Sequence, residues 1–183
     1  MNHASGLNPS NLDPIETWLE DLAVPMPLHL SSPKDPALTT LKKSLRSLID
    51  TTSPSLDLMS QALLYLRIGS MEPAHSHVQD ATRGLGAYIH GVLHRMEQDY
   101  WNAKYWFARV NDPELTDFID VQIRRAATGQ GPRIDSWSGP AAFVDMCQSS
   151  CTDAGHGQQD HLVRLALWEW QALWEIAKQK NPR

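Results

Sequence analysis

Between Ala74 and Val110 the chain concentrates the side chains most able to do chemistry. His75, His77, His90, His94, Arg95, Glu97, Asp99 and Asn102 stand there among Tyr88, Tyr100, Trp101, Tyr105, Trp106 and Phe107. On a helical wheel at about 100° per residue, His90, His94 and Glu97 fall on one stripe, beside the apolar arc of Ile89, Val92, Leu93 and Met96. A stripe at i, i+4 and i+7 offers two nitrogens and an oxygen to a divalent metal. The same stripe also suits a solvated face or a hydrogen-bonded seam against a neighbouring helix. No Ser-His-Asp set, nucleophilic Cys-His pair, phosphate-cradling glycine loop or HExxH motif is present.

A second candidate lies near the end of the chain. Leu162, Leu165, Ala172, Leu173 and Ile176 share one helical face, and Glu169 sits in its middle. A carboxylate so placed needs a cation, a donor network or a metal, because burying it alone is too costly. His90, His94, Arg95, Arg109 or a bound ion are the available partners. One reading is a buried ion pair that fixes helix packing; the other is a ligand carboxylate or general base facing a pocket. His75 and Gln79, one turn apart, join the candidate lining. The expected pocket is therefore His75, Gln79, His90, His94, Arg95, Glu97, Asn102, Trp106, Arg109 and Glu169, with His90, His94, Glu97 and Glu169 as the metal set. Its occupant would be a small polar ligand or a divalent metal ion, and Arg95 and Arg109 would hold an anionic group.

The elements that position these residues read as helices throughout. Helical spacing and end signals predict segments at 14–22, 36–50, 56–68, 72–82, 87–97, 100–110, 114–127, 140–151 and 158–180. Asp13 with Pro14, and Asp99 before Tyr100, carry N-cap signatures. Gly69-Ser70, the TRGLG stretch at 82–86 and Asp112-Pro113 read as stops. No alternating strand pattern appears. The expected fold is all-α, an irregular bundle of antiparallel helical hairpins, with a flexible tail at 1–13 and a single helical domain at 14–183. Ala103, Trp106, Phe107 and Val110 make one face of the 100–110 helix and Trp101 with Tyr105 another, which predicts a helix enclosed on both sides.

Composition bounds the rest. The chain has 183 residues, 42% hydrophobic and 20% charged, with a net charge of −5. That is enough to build one core, and the charge balance lacks the cationic footprint that duplex nucleic acid demands. No run reaches the roughly 18–20 apolar residues of a membrane span, and the first residues lack a secretory pattern. Two cysteines, Cys147 and Cys151, make no disulfide framework and read as buried thiols in a cytosolic protein. The series Cys147, Cys151, His156, His161 lacks the tight paired spacing of structural zinc sites. The expected partners are thus a small ligand, and a protein partner or second copy packed on the Trp-rich C-terminal helix with Trp168, Trp170 and Trp174.

The segment HRMEQDYWNAKYWFARV, with AHSHVQ before it, resembles a family of bacterial and fungal helical proteins built around an HRxExDYxNAKYWF core. Residues His94, Arg95, Glu97, Asp99, Tyr100, Asn102, Ala103, Lys104, Tyr105, Trp106 and Phe107 carry the likeness. It covers about a fifth of the chain and implies where a site lies, without supplying a reaction. Three positions depart from the pattern. Ile89 stands where an aromatic often precedes the first His, Gln98 replaces a usual glycine, and the Asn111-Asp112-Pro113 ending lacks the usual glycine.

Overall fold

The structure is a computed structural model, and it describes residues 13–20, 26–27, 36–52, 56–128, 137–152 and 156–180. The described residues form helices α1 (Asp13–Glu20), α2 (Pro36–Thr52), α3 (Leu58–Arg67), α4 (Met71–Val78), α5 (Gly84–Met96), α6 (Tyr100–Arg109), α7 (Pro113–Ala127), α8 (Pro140–Thr152) and α9 (His156–Lys180), with no strand among them. The expected all-α architecture is therefore observed. The tail at 1–12 lies outside the described residues.

Two short hairpins make the centre. α3 turns into α4 and α5 into α6, and α5 also packs on α3 and α4. The long α9 closes the bundle against α7, α3 and α8. Every residue of α5 from Leu85 to Met96 is buried, so the helix runs through the core and not along its edge. Lys178 of α9 ties α1 to the bundle through Glu16 at 3.1 Å.

Local chemistry explains where the helices stop. Gly69 takes φ +70° after α3, its N–H donating to Leu66 O while the Ser70 N–H donates to Tyr65 O, a Schellman closure. Asp57 caps the start of α3 by accepting from the Ser60 N–H at 2.8 Å, and Asp99 and Asp112 cap α6 and α7 in the same way. The turn after α5 repeats the Schellman pattern, with Gln98 N–H to Arg95 O and Asp99 N–H to His94 O. Here the left-handed residue is Gln98, at φ +63°, and after α6 it is Asn111, at φ +43°. Both residues thus occupy left-handed backbone positions that favour glycine.

Two boundaries differ from expectation by three residues or more, the others by no more than two. α4 ends at Val78, four residues early, because the Ala81 N–H turns back to Val78 O. α5 starts at Gly84 and takes in the glycines read as a break. Gly86 serves close packing, as does Gly91 further along: a Cβ on Gly86 would lie 2.2 Å from the Ala81 Cβ, and one on Gly91 2.6 Å from the Phe107 ring. The α5–α6 hairpin is drawn tight at that second point.

Candidate functional site

α5 carries His90 and His94 on successive turns and Glu97 at its C-cap. α4 brings His75 across, and α6 brings Asn102 and Trp106. The three imidazoles cluster: His75 lies edge-on to His90 at 4.9 Å and to His94 at 5.4 Å, between ring centres, while His90 and His94 are near-parallel at 6.1 Å. Trp106 stacks on His90 at 4.0 Å with 15° between planes. His94 Nδ1 meets Glu97 Oε2 at 3.0 Å. Asn102 Nδ2 stands 3.4 and 3.3 Å from the two His94 nitrogens, almost equidistant, and so is aligned with neither lone pair alone.

His90 is the unusual member. Burial, reinforced by the neighbouring His75 and His94, lowers its pKa to about 4, against a hydrogen bond to the Ala81 backbone that favours the proton. The ring is neutral at pH 7. Its Nδ1 is buried with no hydrogen-bond partner. Nδ1 is thus the ring atom left without a protein partner among the described residues. At His94 the Glu97 carboxylate favours the proton on Nδ1 and leaves the Nε2 lone pair for the site.

Arg95 and Glu169 do not join this cluster, and their expected place in the pocket is corrected. Glu169 accepts from Arg95 Nη1 at 3.1 Å, from Arg95 Nη2, and from the Tyr88 hydroxyl at 3.1 Å. Arg95 and Glu169 are 2% and 1% exposed. A carboxylate in the apolar seam of α9 must be matched by charge, and a guanidinium matches it at two oxygens at once. The Phe143 ring lies 4.1 Å from the guanidinium carbon. Burial depresses Arg95, but the charge and hydrogen bond of Glu169 outweigh it and leave the pKa raised; Tyr88 is raised by burial and then by Glu169. With Glu169 so engaged, the expected four-residue metal set of His90, His94, Glu97 and Glu169 is not assembled.

The other expected residues are spread around the rim. Arg109 is exposed and lies over the Tyr105 and Trp106 rings at 5.3 and 6.0 Å. Gln79 is exposed at the C-cap of α4. The outer face of α6 is open and not enclosed, with Trp101 78% exposed and stacked near Tyr105 at 6.0 Å. On α9, Trp170 and Trp174 are 4% exposed, stacked on each other, and Trp170 donates to Leu63 O; these two pack this chain's own core, while Trp168 is half-buried against it. Cys147 is buried, while the side chains of Cys151 and His156 lie outside the described residues. No group of three or more His, Cys, Asp or Glu side chains among the described residues is placed to hold a metal ion, so the three imidazoles do not close on one point. A cavity of about 550 Å³ is lined by α2 and one of about 350 Å³ by α2, α3 and α4; neither touches any of the expected pocket residues.

Tyr88 and the Ala81 carbonyl are the functional neighbours that sequence reasoning omitted. Tyr88 lies seven residues before Arg95 on one face of α5, a spacing that signals a shared partner; the carbonyl has no sequence signal. No family model, curated protein or solved structure matches the chain.

Proposed function

We propose that the protein binds a small ligand at the imidazole cluster between α4, α5 and α6, in a cytosolic setting, and that the occupant is a divalent transition ion. The observation that carries this is the buried, unpartnered Nδ1 of His90, held neutral beside two further imidazoles. A metal requires deprotonated nitrogen, which the neutral His90 supplies, and imidazole suits zinc, iron, nickel or copper better than magnesium or calcium. His90 Nδ1 and His94 Nε2 are the first two donors and His75 the third, after rotation of its ring onto the same point. Glu97 acts behind His94 as an orienting carboxylate. Asn102 stands beside as a hydrogen-bond partner for whatever completes the coordination. An ion so held would support hydrolytic or lyase-like chemistry through an open position.

The deciding experiment is elemental mass spectrometry of the purified, tag-free protein and of a His90→Ala/His94→Ala variant. Near-stoichiometric zinc, iron or manganese that disappears in the variant supports the reading. A wild-type protein that is empty and refuses added metal refutes it. A second reading, a non-enzymatic helical interaction protein whose buried polar residues are structural, draws on the exposed Trp101–Tyr105 pair of α6. Under that reading Trp101→Ala changes association in sedimentation equilibrium, and His90→Ala costs about 1–3 kcal/mol of stability without changing any binding.

A further inference from the structure

A separate cavity of about 350 Å³ opens between α2, α3 and α4, within the size range of small-molecule sites. α2 supplies Arg46 and Asp50, one turn apart; α3 supplies Gln61 and Tyr65, also one turn apart; α4 supplies Glu72 and His77. Among the described residues, Arg46, Asp50 and Glu72 make no ion pair, although they border the same hollow. Three ionised heads therefore face one cavity without neutralising each other.

The remaining walls refine the chemistry. Tyr65 is buried, its ring standing edge-to-face with His77 at 5.7 Å and 74°. Burial and then the Arg46 charge lower the His77 pKa, so this ring adds hydrogen bonding without charge at neutral pH. Gln61 spends its amide N–H on Leu56 O at 2.9 Å, which leaves its carbonyl oxygen as an acceptor. The lining holds two carboxylates against one guanidinium. A dicarboxylate would meet repulsion from Asp50 and Glu72. A simple diamine would leave Arg46 unmatched, and an apolar occupant would desolvate three charges and pair none.

We propose that this cavity is a second binding site, for a cationic amino acid of the arginine or lysine type. The carboxylate of the ligand lies on Arg46, its positive groups lie on Asp50 and Glu72, and its aliphatic stem lies along Tyr65. The site shares no residue with the imidazole cluster and does not depend on the reading given to it.

The test is a titration of the full-length, 15N-labelled chain with L-arginine, putrescine and succinate, followed by amide shifts. L-arginine is expected to give saturable shifts confined to α2, α3 and α4, with putrescine and succinate at least about tenfold weaker. Arg46→Gln and Glu72→Gln are each expected to weaken L-arginine by about tenfold, one charge-assisted hydrogen bond apiece. Both side chains are exposed, so neither change threatens folding. Absence of saturable shifts with millimolar L-arginine overturns the site. Equal affinity for putrescine, or wild-type affinity in both variants, overturns the assignment of the charges.

Discussion

Replacing Arg95 by Met removes the guanidinium that pairs with Glu169, in a place screened from water. The two groups are 2% and 1% exposed, so among the described residues the orphaned carboxylate retains a single donor, the Tyr88 hydroxyl. Breaking one side of such a buried pair costs about 3–5 kcal/mol. For a chain of this length that is a fall in Tm of about 6–20 °C, at roughly 2–4 °C per kcal/mol. Tyr88→Phe keeps the ion pair and removes one hydrogen bond to a charged acceptor, a loss of about 1.5–3 kcal/mol. The double variant Arg95→Met/Glu169→Leu removes both charges together. Well-packed apolar substitutes for buried ion pairs are often neutral or better, so most of the loss is expected to return. Urea unfolding followed by circular dichroism gives all the stabilities, and the cycle yields the coupling energy. A double variant no more stable than Arg95→Met, or an Arg95→Met protein within about 1 kcal/mol of wild type, would refute the reasoning. Glu169 would then return to the residues available for binding.

Two further perturbations test the local chemistry. Gln98→Gly relieves a left-handed backbone position worth about 1–2 kcal/mol, offset by the added freedom of the unfolded chain, so a net gain of about 0.5–1 kcal/mol is expected in thermal unfolding; a lower Tm would contradict it. His90, faced by His75 from α4 and by His94 from its own helix, with Glu97 beyond, has a folded pKa of about 4 against 6.5 unfolded. The unfolded chain binds the proton more readily between those values. The stability this residue contributes is therefore complete above about pH 6.5 and is lost as pH falls towards 4, on the order of 2 kcal/mol after solvent screening. His90→Phe, which keeps a ring against Trp106, should unfold with a shallower pH dependence than wild type in that window; parallel curves would disprove the assignment.

Helix identity was legible because the signals were local. Asp99 and Asp112 announced the starts of α6 and α7 by residue type alone, and the apolar faces of α9 emerged from its spacing with Glu169 correctly in their midst. What remained hidden depended on tertiary partners. Gly84 and Gly86 read as breakers since nothing in the chain announces that Ala81 will press against one of them. The choice among His90, His94, Arg95 and Arg109 as the partner of Glu169 rests on the rotation of α5 relative to α9, which wheel arithmetic on one helix cannot supply. His75 was placed near the cluster on its own helix pattern, and the α4–α5 packing turned that proximity into ring contact. The exposure of Trp101 shows the converse: an aromatic stripe signals burial only if a neighbour comes to meet it.

The burial of α5 on every side has a bearing on motion. Local opening follows from sparse burial and exposed hydrogen bonds, and α5 has neither, so its amides belong with the slowest-exchanging in the molecule. Two of the three imidazoles are thus mounted on a fixed post. The third rides on α4, a helix of eight residues that ends in an exposed turn, and Asn102 and Trp106 ride on α6, whose outer face meets solvent. Any breathing that admits a visitor to the cluster is the movement of these two shorter walls about a stationary axis.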